Sequence, residues 1–122
     1  MTAEVRLGSI EQLVVEEAFE GVTRRRVDGD KCTLLFYTFT GGAIHGLHSH
    51  AEEQWMIVTS GSCQLHLGDS PTRTATVGDY CVIPPNIEHG ITAGDSGVGL
   101  TVVIAPRRTT EYQVRPVPTA DE

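Results

Sequence analysis

No stretch of the sequence approaches the roughly 18 consecutive apolar residues of a membrane-spanning helix. The opening segment, MTAEVRLGSI, lacks the apolar run of a secretory signal. The expected address is therefore the cytoplasm, with no membrane partner. Cysteine is scarce, and Cys32, Cys63 and Cys81 form an odd, irregularly spaced set. That excludes a disulfide framework and a CxxC zinc site, and each thiol is expected in the core of a strand-rich fold. Cationic charge is scarce too. A formal net charge of −7 repels nucleic acid and anionic lipid. The one basic cluster, Arg24-Arg25-Arg26, is short and reads as a solvated strand face. Internal repeats and sustained helical periodicity are also absent.

What the sequence does have is punctuation. Glycine and proline recur every eight to twelve residues or so, the spacing of many short strands. KCTLLFYTFT (31–40) is β-branched and aromatic, and it ends at Gly41-Gly42. QWMIVTS (54–60) stops at Gly61, and SCQLHLGD (62–69) alternates, with His66 on the outward side. Gly78-Asp79 reads as a turn feeding YCVIP (80–84), and GLTVVIAP (99–106) is apolar on both faces. Ser9 with Gln12 fits a capping box opening a short helical turn. The polar, proline-broken tail RPVPTADE (115–122) is expected to fray. Together these predict an all-β sandwich or barrel of short antiparallel strands.

The chemistry gathers at HGLHSHAEEQW (45–55). On an extended strand, residues i and i+2 point to one side, so His48 and His50 can aim two imidazoles at one point. Gln54 follows a short turn and begins the next strand, and an antiparallel return brings it alongside the histidines. His89, after a rigid Pro84-Pro85 turn, is the remaining histidine suited to complete the set.

The wider spacing is more specific than the HSH triplet alone. Gly42 is followed by five residues, His48-x-His50, three residues, Gln54, six residues and Gly61. A second block runs Gly78, five residues, Pro84, then His89. The pair resembles the two motifs of the cupin superfamily, small β-barrels (double-stranded β-helices of jelly-roll type) with a metal in the barrel mouth. It departs from them at Gln54, where glutamate is usual, at Asn86, usually glycine, and at Ala93, usually asparagine. The resemblance implies one domain over 1–122, with a barrel core of about 21–106, an N-terminal arm (1–20) and a C-terminal tail (107–122).

HSHAEEQ, IPPNIEHG and APRR resemble two groups of single-domain cupins. One linearises unsaturated uronates; the other accompanies aromatic polyketide pathways and is described as cyclases. In the uronate group the glutamine is itself a metal ligand. That group also carries an aspartate and a phenylalanine on the last barrel strand, where this sequence has Val102 and Ile104, and an arginine just beyond, kept here as Arg108. The resemblance therefore implies His48, His50, Gln54 and His89 as ligands to one divalent transition metal ion, with zinc, nickel, iron, manganese and copper all compatible.

A neutral amide in place of a carboxylate leaves the ion with its full +2 charge, which strengthens it as a Lewis acid and favours anionic ligands. The leading expectation is a non-redox isomerase, cyclase or lyase acting on a small anionic or carbonyl-bearing molecule through an enolate or carboxylate held at the metal. The alternatives are a three-histidine iron dioxygenase and a non-catalytic ligand-binding barrel. His45 is a candidate proton shuttle at the barrel mouth or else an exposed loop histidine. Arg108 could pair with a substrate carboxylate or be a surface charge. Tyr37 and Met56 are candidates for the pocket lining, with core packing as the other account. Glu52 and Glu53 are expected to be solvated, unless the turn folds inward and supplies an acid. A homodimer is expected through strands 32–39 and 99–105 as sheet edges.

Overall fold

The computed structural model describes residues 4–108 and 115–117. After a 3-10 turn at Ile10–Gln12, eight strands follow: β1 (Glu16–Phe19), β2 (Val22–Asp28), β3 (Thr33–Phe39), β4 (Ile44–His48), β5 (Glu53–Leu67), β6 (Arg73–Thr76), β7 (Tyr80–Ile83) and β8 (His89–Ala105). They pair in the order β1-β2-β3-β8-β5-β6, with β4 joined to β8 and β7 to β5. Every pairing is antiparallel. The all-β antiparallel barrel expected from the sequence is the fold observed. Among the described residues no helix is long and apolar enough to cross a membrane.

Two long strands make the barrel. β5 and β8 pair from Glu53↔Ala105 to Leu67↔His89. The C-terminal half of β8 also pairs with β3, and its N-terminal half pairs with β4. The start of β5 also pairs with β7, and its end pairs with β6. Each long strand thus serves two sheets, and irregularities at Val58/Ser60 and Gly61/Cys63 mark the corner between them. Gly61 sits there at φ 67, and a Cβ would lie 2.0 Å from the Gly97 carbonyl oxygen. Only glycine lets the two backbones pass this closely.

That corner corrects the strand boundaries. Gly61 was expected to end one strand at 60 and start another at 62, yet 53–67 is continuous, because β8 bends with β5 and the ladder resumes beyond the bulge. The segment 99–106 is likewise the second half of β8. Strands β3 and β8 are not edges, since each is paired on both sides. The tail is not frayed throughout: Leu47 and Arg115 exchange backbone hydrogen bonds, and Val117 is buried. The expected fraying of 118–122 lies outside the described residues. The turn at Ile10–Gln12 forms, but Ser9 makes no side-chain cap bond, so there is no capping box.

Alternation builds the interior. Leu35, Tyr37 and Phe39 of β3, Met56 and Val58 of β5, and Leu100, Val102 and Ile104 of β8 all point inward. Of the cysteines only Cys63 is fully buried, and burial raises its thiol to about 11; Cys32 and Cys81 are half-buried. His66 is also half-buried rather than exposed, its Nε2 lying 2.9 Å from the Thr92 hydroxyl.

Candidate metal centre

Three strand ends meet at one mouth of the barrel. His48 closes β4, Gln54 is the first inward residue of β5, and His89 opens β8 opposite His48. His50 lies in the loop between β4 and β5, so the strand alternation invoked for His48 and His50 does not apply to it. The loop nevertheless returns its ring to the group. Its backbone carbonyl accepts a hydrogen bond from the Asn86 N–H at 2.8 Å, tying it to the Pro84-Pro85 turn. Asn86 adopts φ 65 there. Asparagine is one of the few side chains that tolerate this left-handed conformation, so the turn survives without the usual glycine.

One ring nitrogen from each of His48, His50 and His89 lies within 4.8 Å of the other two, and all three residues are buried. Each points its Nδ1 at a backbone carbonyl: His48 at Gly46 (2.8 Å), His50 at Glu52 (2.9 Å) and His89 at Ile87 (2.8 Å). Nδ1 therefore carries the proton and donates it, which leaves a lone pair on each Nε2. The Gln54 amide oxygen, also an acceptor, lies 3.1 Å from His50 Nε2 and 3.3 Å from His89 Nε2. Acceptors facing acceptors repel unless a cation sits among them. Three imidazole nitrogens and one amide oxygen are a donor set that suits a divalent transition metal, so the residues present fit such an ion.

Burial keeps His48 and His89 neutral. Desolvation, reinforced by the neighbouring His45 and His89, lowers His48 to about 2. Desolvation likewise lowers His89 to about 4, with its Ile87 hydrogen bond opposing. Of the two readings of His45, the exposed loop histidine does not hold: the residue lies on β4, 4% exposed. An irregularity between His45 and His48 turns both rings to the same side, with centroids 4.3 Å apart. Phe19 packs edge-on against His45 at 4.5 Å, a neighbour that the sequence reading did not single out. Desolvation sets His45 at about 4, with Arg108 and Arg24 adding to the depression.

Tyr37, His45, His48, Gln54, His89 and Arg108 form the polar part of a cavity whose wall is aliphatic, including Val102 and Ile104. The space left is about 20 Å³, room for about one water. Met56 does not line this cavity; it is buried in the core, paired with Cys81 and Val102. Arg108 is buried, not a surface charge. Its backbone N–H donates to the Thr33 hydroxyl at 3.0 Å, and its carbonyl accepts from Arg26 at 2.9 Å. Asp28 anchors both partners, accepting from Arg26 Nε at 3.0 Å and from the Thr33 hydroxyl at 2.7 Å. No local sequence signal marked Asp28 or Thr33, because their role arises only when β2 and β3 pair. Arg24 Nη1 reaches the Tyr37 hydroxyl at 3.4 Å, so this member of the basic cluster turns inward. Glu53 is half-buried and accepts from Trp55 Nε1 at 2.7 Å. Glu52, expected to be solvated, is 5% exposed.

A family model described as Cupin domain matches residues 35–104. No curated protein matches the chain. Among solved structures, an RmlC-like cupin from Shewanella frigidimarina is 24% identical with a TM-score of 0.78, covering 88% of this chain and 96% of that one. KdgF from Halomonas sp. is 23% identical with a TM-score of 0.74, covering 80% and 92%. A mutant of Bacillus subtilis oxalate decarboxylase gives a TM-score of 0.80 at 19% identity, covering 93% of this chain. This chain spans only 33% of that protein. At these identities the likeness to the solved structures is one of fold.

Proposed function

The chain belongs to the cupin family, and from that premise we propose that it is a metal-dependent enzyme of non-redox type, an isomerase, cyclase or lyase. Its substrate would be a small anionic or carbonyl-bearing molecule. The observation that carries this reading is the clustering of His48, His50 and His89, with the Nε2 atoms of His50 and His89 both facing the Gln54 amide oxygen. His48, His50, Gln54 and His89 would hold one divalent transition metal ion. Bound there, the ion supplies a Lewis acid whose charge no ligand offsets. Arg108 contributes a guanidinium to the cavity wall for a carboxylate or enolate oxygen. His45, beside His48 with ring centroids 4.3 Å apart, is the candidate to relay a proton. Val102 and Ile104 stand where the uronate group has an acid and a phenylalanine, and their aliphatic surface offers a sugar hydroxyl no partner. That weighs against a polyhydroxylated substrate.

Metal content by mass spectrometry on tag-free, chelator-free protein tests the centre. Near-stoichiometric zinc, nickel or manganese, with turnover of keto-acid or polyketone substrates under argon, is the expected result. Protein that carries no metal and takes none up on titration overturns the reading, and a strict oxygen requirement overturns its non-redox part.

The homodimer belongs to this proposal too, through a sheet face instead of the edges first expected. Val82, Trp55, Val103 and Leu34 form one outward row, and Tyr80, Ile57, Thr101 and Phe36 form the next. Trp55 and Ile57 are each 46% exposed and Tyr80 is 76% exposed. Between β7 and β3 neither row bears a charge, although the chain carries −7; the second row continues to Arg25 on β2, and Glu53 bonds Trp55 beside the first. A neutral apolar patch is the surface on which such a chain can meet its own copy without self-repulsion. Light scattering at micromolar concentration should give a dimer mass, and Trp55→Glu a monomer. A monomeric wild type refutes the pairing.

A further inference from the structure

Glu52 is the feature of the molecule that the reading above does not use. Its side chain is 7% exposed, and among the described residues its Oε1 has no hydrogen-bond partner. The one ion-pair neighbour of that oxygen among the described residues is His50, whose Nδ1 lies 3.7 Å away. The same Nδ1 donates to the Glu52 backbone carbonyl at 2.9 Å. A buried carboxylate with an unsatisfied oxygen is costly, and proteins keep one where a positive charge compensates it. The place for that charge is on the far side of the His50 ring, where Nε2 faces Gln54 Oε1.

We propose that Glu52 is a positioning residue of the metal centre: from behind His50 it supplies the negative charge that Gln54 does not, and it holds the ring with Nε2 turned to the ion. This rests on the metal-centre reading. The backbone carbonyl fixes the tautomer of His50, and the carboxylate beside it makes the ring a stronger donor through its polarised N–H. The acid that the family usually places at position 54 is thus moved two residues back. The cation keeps a fully neutral donor set, while the domain as a whole still neutralises part of its charge. An ion so held remains open to an anionic ligand, which a directly bound carboxylate would discourage.

The test is competition titration of metal-stripped, full-length protein with zinc against a chromophoric chelator, comparing wild type with Glu52→Gln. The expected result is 10- to 100-fold weaker zinc binding in the variant. The urea midpoint of its metal-free form should be unchanged or higher, because an uncompensated buried charge has gone. These opposite signs separate the proposal from a structural role, in which both quantities fall together. Cobalt-loaded protein should show a shifted visible spectrum in Glu52→Gln, and Glu52→Gln/Gln54→Glu should regain affinity to within about threefold of wild type, since the charge is restored at a ligand. Zinc affinity in Glu52→Gln within threefold of wild type overturns the proposal, as does a parallel loss of metal-free stability. If Glu52→Gln does not fold, Glu52→Asp replaces it: binding weakened by 3- to 10-fold supports the proposal and unchanged binding overturns it. Wild-type protein that takes up no zinc fails the metal centre itself, a different result from normal uptake in both proteins.

Discussion

Acid should unfold the metal-stripped protein through its imidazoles. His48 titrates at about 2 in the folded chain, and His45 and His89 at about 4, chiefly because burial disfavours the charged ring. In the unfolded chain each takes a proton near the ordinary value of 6.5. Between those limits the unfolded state binds more protons than the folded one, so stability is fully present above about pH 6.5 and is lost as the pH falls towards the folded values. Each imidazole costs about 2 kcal/mol between pH 7 and pH 5, and the three together about 6 kcal/mol. Near pH 5.5 unfolding should take up nearly three protons, a slope of about 3.5 kcal/mol per pH unit. The shifts of Asp28 and Glu88 run the other way and lie below this window.

A loss of that size is comparable to the whole stability of a small domain, about 5–15 kcal/mol. Urea unfolding of chelator-treated protein, followed by circular dichroism at half-unit steps from pH 7 to pH 5, measures it directly. His45→Gln removes one contributor without touching a ligand and should lower the proton uptake by about one. A stability that changes by less than about 2 kcal/mol over this range refutes the argument, as does a slope that His45→Gln leaves unchanged. Either outcome would mean that bulk water reaches these rings and that they are less buried than the packing describes.

The remaining expectations concern the frame around the site. Gly61→Ala should destabilise by about 3 kcal/mol or more, since its φ of 67 and the approach to Gly97 both exclude a Cβ; a urea midpoint near that of wild type contradicts the corner described here. Asp28→Asn should cost about 2 kcal/mol by weakening the Arg26 and Thr33 bonds that seat Arg108, and a neutral result in urea unfolding would free Arg108 of that tether. Zinc at 100 times its dissociation constant should raise stability by about 2.7 kcal/mol, reversed by chelator; calorimetry showing no shift argues against specific binding.

The barrel was legible because alternation and glycine-proline punctuation are local properties of the chain. Strand length was not. Gly61 reads as a terminator in one dimension, and it becomes a bulge only because Gly97 on the partner strand bends beside it. The same distinction runs through the site. The histidine spacing and the Pro84-Pro85 turn pointed to the residues that converge, but alternation gave the wrong reason for His50, which is aimed by a loop tied to Asn86. Met56 obeys alternation and is nonetheless core, because facing inward does not say at what depth. In HSHAEEQ two adjacent acids look alike. One is buried behind His50 and the other accepts a bond from Trp55 near the surface, a difference created wholly by how the turn folds back.

The charges and the wall together narrow what can bind. Burial holds His45, His48 and His89 neutral, Gln54 is neutral, and the guanidiniums of Arg108 and Arg24 lie close enough to depress His45. An incoming ligand therefore meets positive potential from the arginines. The same cavity wall carries Leu35, Leu100, Val102 and Ile104, which have no polar side-chain atom to give. An anionic head with an apolar body suits both features, whereas a sugar acid suits only the first. Val102→Asp probes this directly. The new carboxylate is expected to cost about 3 kcal/mol or more of stability, because it is buried without a partner. In zinc-loaded protein that remains folded, it should weaken binding of a small anion such as malonate at least tenfold, measured by calorimetric titration. Equal malonate affinity in the two proteins would mean that anions do not enter past Val102, and the cavity would then be only the packed floor beneath a more external site.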